Sequence, residues 1–244
     1  VSMKKNPLQK GKPRKMTLEK NLKMGSAALS AILLTIAGGT TAEAQAPKKG
    51  GVVNIAVVAE PPNYDCHAHS TFGASHPLSP HYSTLLKYKG GHASVKIVGD
   101  LAVSWNVAAD GLSFTFKLVK GVKFHDGTAL TAADVKASYE RIAKPPTGVI
   151  SLRQPLYEDI TAIETPDDHT VVFKLKAVNA SMLDGFASPW NCIYSAAKLK
   201  DNPKFPENNV LGTGPFRFVE HIKGQSWEGK RFEGYFRDGR PYLD

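Results

Sequence analysis

Cysteine is scarce: the 244 residues hold two, Cys66 and Cys192. Two are too few for a disulfide-built scaffold, and neither stands in a C-x-x-C pair, so dithiol redox chemistry has no motif here. Zinc templates are also missing, because the chain contains no H-E-x-x-H and no paired C-x-x-C. The stretch GTGPF, residues 212–216, lacks the Gly-Lys-Ser/Thr ending of a phosphate loop. No internal repeat is present, which removes solenoid architectures. A basic folded part is absent as well. The net charge is +9, but residues 1–44 hold eight Lys or Arg against Glu19 and Glu43, so 9 − 6 leaves +3 for the rest. A nucleic-acid partner is therefore not expected. What remains is ordinary globular composition, 42% hydrophobic and 22% charged, at a length suited to one large domain or two small ones.

The displaced charge has a use. A basic stretch ending at Lys23 precedes MGSAALSAILLTIAGG, residues 24–39, which is too short to span a bilayer comfortably. Ala42-Glu43-Ala44 then supplies the small-x-small pattern of a cleavage site. The expectation is a signal peptide over residues 1–44, cut near Ala44, with an uncleaved anchor as the alternative. The long basic region is compatible with translation from Met3 or Met16. No cysteine follows the apolar run, which argues against a lipid anchor. The product, residues 45–244, is expected to be exported and soluble. An oxidising compartment permits a Cys66–Cys192 bond, but the sequence leaves pairing and two unpaired buried thiols equally open.

In the exported part, Val53, Ile55 and Val57 alternate with Asn54 and Ala56, predicting a mostly buried strand stopped by Pro61-Pro62. Residues 63–81 read as a His-rich loop or short helical stretch, and HYSTLLKY, residues 81–88, has helical spacing. Residues 101–124 predict two strands around Asp110-Gly111, with Phe114, Phe116 and Leu118 on one face. Asp126-Gly127 then makes a turn. Thr131 and Asp134 form a capping-box start for a helix whose Val135, Tyr139 and Ile142 share a face. YEDITAIETPDDHTVVFKLKAV predicts a hairpin about Asp167-Asp168. SMLDGFASPWNCIYSAAKL starts helical and breaks at Ser188-Pro189, DNPKFPENN reads as a polar loop, and residues 212–236 predict a glycine turn and another hairpin. Short hairpins mixed with isolated helices indicate a mixed α/β (α+β) fold.

These blocks together resemble the signature region of the peptide/nickel class of extracellular solute-binding proteins, which includes dipeptide and oligopeptide receptors of ABC importers. The resemblance rests on Leu101 to Trp105, Asp110-Gly111, Thr115 to Leu118, Gly121 to Gly127 and Thr131 to Val135, followed in order by DDHTVVFKL, GTGPFRF and RDGRPYLD. It runs from about residue 50 to Asp244. Phe232 departs from it, standing where the family usually has Asn. The resemblance implies a periplasmic-binding-protein-like lobe, with a second lobe absent from this chain and the ligand normally held between lobes. Residues 45–244 are then an incomplete N-terminal lobe, and Val1 and Asp244 suggest a partial reading frame. Implied partners are a peptide or other small solute and an ABC permease in the inner membrane. The implied place of work is the periplasm.

His125-Asp126 invites a catalytic reading, but no nucleophile motif accompanies it, and the resemblance puts the pair in a scaffold turn. No catalytic residue, cofactor or resident metal is expected. The cluster Cys66, His67, His69, His76 and His81 carries good ligands for a transition metal, so a secreted metal-binding protein is the alternative reading. In the resembling family the loop after the first strand pairs with an extended ligand through its backbone. Here that loop is Ala59 to Tyr64. Glu60, Tyr64 and His67 are the expected cleft-lining residues, with Trp190, Asn191 and Cys192 as a second wall. The alternative for Trp190 and Cys192 is plain core.

Overall fold

The computed structural model describes residues 47–90 and 95–244, so the expected export segment and His92 lie outside the described residues. Two short antiparallel strands, β1 (Leu86–Tyr88) and β2 (Ile97–Gly99), lead into a four-stranded antiparallel sheet. That sheet is ordered β3 (Ala102–Val107), β4 (Ser113–Leu118), β6 (Thr170–Leu175) and β5 (Ile160–Asp167). A hairpin of β7 (Phe216–Ile222) and β8 (Ser226–Arg231) closes the chain. The helices are α1 (Phe72–Leu78), α2 (Ala132–Ala143), α3 (Met182–Phe186), α4 (Ala196–Asp201) and α5 (Phe205–Asn208). Among the described residues, no helix is long and apolar enough to cross a membrane.

Period-two alternation builds the sheet. Phe114, Phe116 and Leu118 are buried as expected, and across the ladder Phe116 faces Val171 while Phe114 faces Phe173. Helix α2 lies on that face through Val135, Tyr139 and Ile142, all fully buried. Its start is the expected capping box, in which Thr131 N and Oγ1 donate to Asp134 Oδ2 at 2.7 and 3.2 Å. Phe186 of α3 completes an aromatic core. Its ring lies 4.9 Å from Phe116 and 4.6 Å from Phe173, and Tyr139 lies 5.1 Å from Phe173. Edge-on pairs of this kind contribute about 0.5–1.5 kcal/mol each beyond burial.

A second, smaller core joins the first and last parts of the chain. It contains Cys66, Ala74, Leu78, Tyr82, Cys192, Tyr194 and Leu199. Cys66 and Cys192 are disulfide-bonded, with Cα atoms 6.1 Å apart. The glycines of GTGPF serve this junction. A Cβ on Gly214 would meet the carbonyl carbon of His81 at 2.4 Å, and one on Gly212 would meet the His81 oxygen at 2.2 Å. Only glycine lets the two backbones lie this close.

Three local expectations are corrected. Residues 52–58 form no strand and are exposed, because no neighbouring strand pairs with them. HYSTLLKY is not helical: Leu86–Tyr88 pair with β2, and adjacent Leu85 and Leu86 are both fully buried, which a strand covered on both faces allows. The DNPKFPENN stretch holds the single turn of α5.

Candidate functional site

The extended segment 52–60 is tied at both ends. Gly50 N donates to Tyr242 O at 2.7 Å and Asp244 N to Gly51 O at 3.1 Å. At the other end the Glu60 carboxylate accepts from Gly224 N in the β7–β8 turn, and its second oxygen lies 3.7 Å from His221 Nε2. Between this segment and the hairpin is a cavity of about 950 Å³. Val53, Ile55 and Glu60 line one side; His81, His221 and Trp227 line the other.

Hairpin alternation places the aromatic wall. Tyr64 packs edge-on against Trp227, centroids 5.2 Å apart, and its hydroxyl is 3.1 Å from His221 Nδ1. Trp227 Nε1 donates to His81 Nε2 at 2.8 Å, which leaves His81 Nδ1 to donate to Phe216 O, also at 2.8 Å. That arrangement requires the neutral imidazole, and burial pushes His81 down to about 4. The segment side of the cavity is thus apolar at Val53 and Ile55 and ends in the Glu60 carboxylate. Its other side offers aromatic and imidazole faces, and the combination suits a ligand with an apolar body and few polar ends.

Behind it, a buried charge network anchors the loop. Arg141 of α2 donates to both Asp65 oxygens, at 3.2 and 2.5 Å, and to His67 Nδ1 at 3.0 Å. His67 Nε2 then donates to Cys192 O at 3.0 Å. Burial pushes His67 down to about 3, so it is neutral. Burial alone would raise the Asp65 carboxyl, but the Arg141 guanidinium and the His67 backbone N–H, which donates to Asp65 Oδ1 at 3.0 Å, outweigh it and hold it below its ordinary value. Arg153 fastens the same turn from outside, donating to the carbonyls of Cys66, His67 and His69 at 2.7–2.8 Å.

The six sequence-predicted residues thus separate. Glu60 lines the cavity and Tyr64 supports its aromatic wall. His67, Asn191 and Cys192 are fully buried. His67 belongs to the charge network, Asn191 Nδ2 donates to Tyr157 OH and Gly185 O, and Cys192 is cross-linked. Trp190 is half-buried beside Arg153, 5.9 Å from its ring centroid, and 6.1 Å from Phe72. These four are packing within the lobe and not walls of this cavity. His81, His221 and Trp227 were missed. The one signal in the sequence was the hairpin alternation that puts Trp227 opposite His221.

The metal alternative loses its ligands. Cys66 is in the disulfide, His67 is held by Arg141, His69 Nε2 bonds Asn63 at 2.8 Å, and His76 stacks on Phe72. Among the described residues no three His, Cys, Asp or Glu side chains gather as a metal site. The His125-Asp126 pair is divided by its own bonds. His125 Nε2 donates to Gly214 O at 3.0 Å, while Asp126 Oδ1 accepts from Thr128 N and Oγ1 at 3.0 and 2.6 Å. Both side chains hold turns.

Residues 96–244 match the family described as bacterial extracellular solute-binding proteins, family 5 Middle. The glutathione-binding protein GsiB of Pectobacterium atrosepticum is 36% identical over 150 residues, covering 62% of this chain and 29% of that protein. Among solved structures, the PBP AgaA in complex with agropinic acid, from A. tumefacien R10, is 36% identical with a TM-score of 0.68, covering 76% of this chain and 37% of that one. The oligopeptide-binding protein AppA of Bacillus subtilis, in complex with a nonapeptide, is 28% identical with a TM-score of 0.73, covering 82% and 40%. The chain spans less than a third of the curated relative's length.

Proposed function

The chain belongs to the bacterial extracellular solute-binding proteins, family 5, and from that premise we propose that it is the N-terminal lobe portion of an ABC importer's solute-capturing component. In this reading residues 1–44 direct export, residues 45–244 work in the periplasm, and the solute passes to a permease in the inner membrane. The ligand is a peptide or a comparable small amino-acid conjugate, since one similar protein is named for binding glutathione and two similar structures hold agropinic acid and a nonapeptide. The mechanism is capture without chemistry. A ligand binding the open surface gains further contacts when a second lobe closes, and that differential affinity drives closure.

The observation that carries the reading is the loop Ala59–Tyr64, held by buried fastenings at Asp65, whose residues Ala59, Glu60 and Pro61 line the cavity of about 950 Å³. A rigid loop with accessible backbone suits strand-wise pairing with an extended peptide. Glu60 and Tyr64 are the proposed ligand-facing residues.

The test is an NMR titration of the chain with a tripeptide and with glutathione. Shifts confined to Ala59–Tyr64 and the Trp227 indole, with a millimolar Kd, are expected because only one wall of the site is here. Unmoved resonances in that loop would refute the assignment of this surface. Sub-micromolar affinity would refute the need for a second lobe.

A further inference from the structure

Two imidazoles hold the glycine turn GTGPF from inside the lobe. His81 reaches it from just after α1: its carbonyl accepts from Gly214 N at 3.0 Å, and its Nδ1 donates to Phe216 O at 2.8 Å. His125 reaches it from the turn after β4: its N donates to Gly212 O at 2.9 Å, and its Nε2 donates to Gly214 O at 3.0 Å. Both side chains are buried. Neither ring has room for a second proton where it stands. His81 Nε2 accepts from Trp227 Nε1 at 2.8 Å, so a proton there would set two donors against each other. His125 Nδ1 is buried without a partner, beside the Phe232 ring with centroids 4.9 Å apart, so a proton there would find no acceptor.

The surroundings keep both rings neutral. Burial lowers each from 6.5, His81 to about 4. Arg217 opposes a charge on His125 more than Asp126 favours one, and His125 opposes a charge on His81. Across the hairpin, Tyr64 and His221 face Trp227, and His221 lies beside Glu60. We propose that His81 and His125 form an acid-operated latch on the GTGPF turn: protonated together, they release the turn, and with it the bond that holds Trp227 in the cavity wall. The sign follows from the buried neutral rings. Below about pH 6.5 the freed imidazoles take up protons and the latched ones do not, so the latch is closed at neutral pH and weakens as pH falls. Opening takes up as many as two protons, so its equilibrium constant rises by up to about 100-fold per pH unit. Any effect on solute capture rests on the function proposed above; the latch itself is read without ligand.

An NMR titration of the chain from about pH 7 to about pH 4 tests this, following the His81 and His125 Cε1–H, the Trp227 indole N–H and the backbone amides. The two imidazoles and the indole should change together in one transition below about pH 6.5, with a Hill slope of about 2, while the amides of β4 and β6 keep their native positions. His81→Asn keeps a donor toward Phe216 O and His125→Gln keeps one toward Gly214 O, but neither replacement titrates. Each variant should lower the slope to about 1. Independent titration of the two rings near about pH 6.5 would overturn the proposal, as would an indole that does not move with them. Sheet amides moving at the same midpoint would also overturn it, because the transition would then be global unfolding. So would a slope of about 2 in both variants. If a variant does not fold, the titration of the unaltered chain decides alone.

Discussion

Removing the Cys66–Cys192 bond is the most demanding test of how this lobe is held together. The cysteines are 126 residues apart and enclose the whole four-stranded sheet. In the chain-entropy description, a loop of that length constrains the unfolded state by about 5 kcal/mol at 25 °C. The folded state does not depend on the bond for its local geometry. Cys66 N donates to Tyr194 OH at 2.8 Å, and His67 Nε2 holds Cys192 O at 3.0 Å. The double variant Cys66→Ala/Cys192→Ala should therefore fold, with nearly all of its loss arising from a freer unfolded chain. Against a typical stability of about 5–15 kcal/mol, a loss of about 3–5 kcal/mol is large. At about 2–4 °C per kcal/mol for a domain of this size, Tm should fall by about 6–20 °C. The assay is urea unfolding followed by tryptophan fluorescence. It compares the oxidised chain, the same chain in dithiothreitol and the double variant. The reduced chain and the variant should behave alike. Agreement of all three within about 1 kcal/mol would refute the reasoning, because it would mean that the cross-link does not constrain the unfolded state.

Other consequences follow from the same junction. Arg141→Ala leaves Asp65, 1% exposed, as an unpaired buried carboxylate and should cost about 3–5 kcal/mol in the same unfolding assay; Arg141→Met with Asp65→Leu should recover most of it. Gly214→Ala drives a Cβ into the His81 backbone and should destabilise by about 3 kcal/mol or more. Gly127→Ala, at φ +89° with open space around it, should cost about 1 kcal/mol, and equal losses would refute the close-approach argument. His67 and His81 are neutral in the fold, lowered from 6.5 to about 3 and about 4. The unfolded chain therefore takes up their protons first. Their stability is fully present above pH 6.5 and falls toward pH 4, by about 1.4 kcal/mol per pH unit for each histidine. Urea midpoints that do not move between pH 7 and pH 5 would contradict their burial.

Much of the scaffold was legible in local chemistry. The Phe114-Phe116-Leu118 alternation, the Thr131–Asp134 capping box and the Asp110-Gly111 turn depend on neighbours a few residues away, and each forms as its residues predict. The helical spacing of HYSTLLKY misled, because Leu85 and Leu86 are buried from both sides and lose the periodicity that separates helix from strand. The apolar alternation of Val53–Val57 misled differently. It signals a residue's fitness for a sheet but cannot supply the neighbouring strand.

By itself, then, the sequence determined the class of fold and the order of its hairpins, and its signature blocks pointed to the family. These are written in short-range periodicity, turns and caps. Only the tertiary structure decided which residues meet. It joined Cys66 to Cys192, drew His67 and Asn191 into the interior, and brought His81, His221 and Trp227 to the cavity beside Glu60. The physical reason is separation along the chain. Tyr64 and His221 stand 157 positions apart, and His81 and Trp227 146. No local preference encodes such a pairing. It arises when the glycines at 212 and 214 let two backbones approach, and the side chains around them are left facing one another.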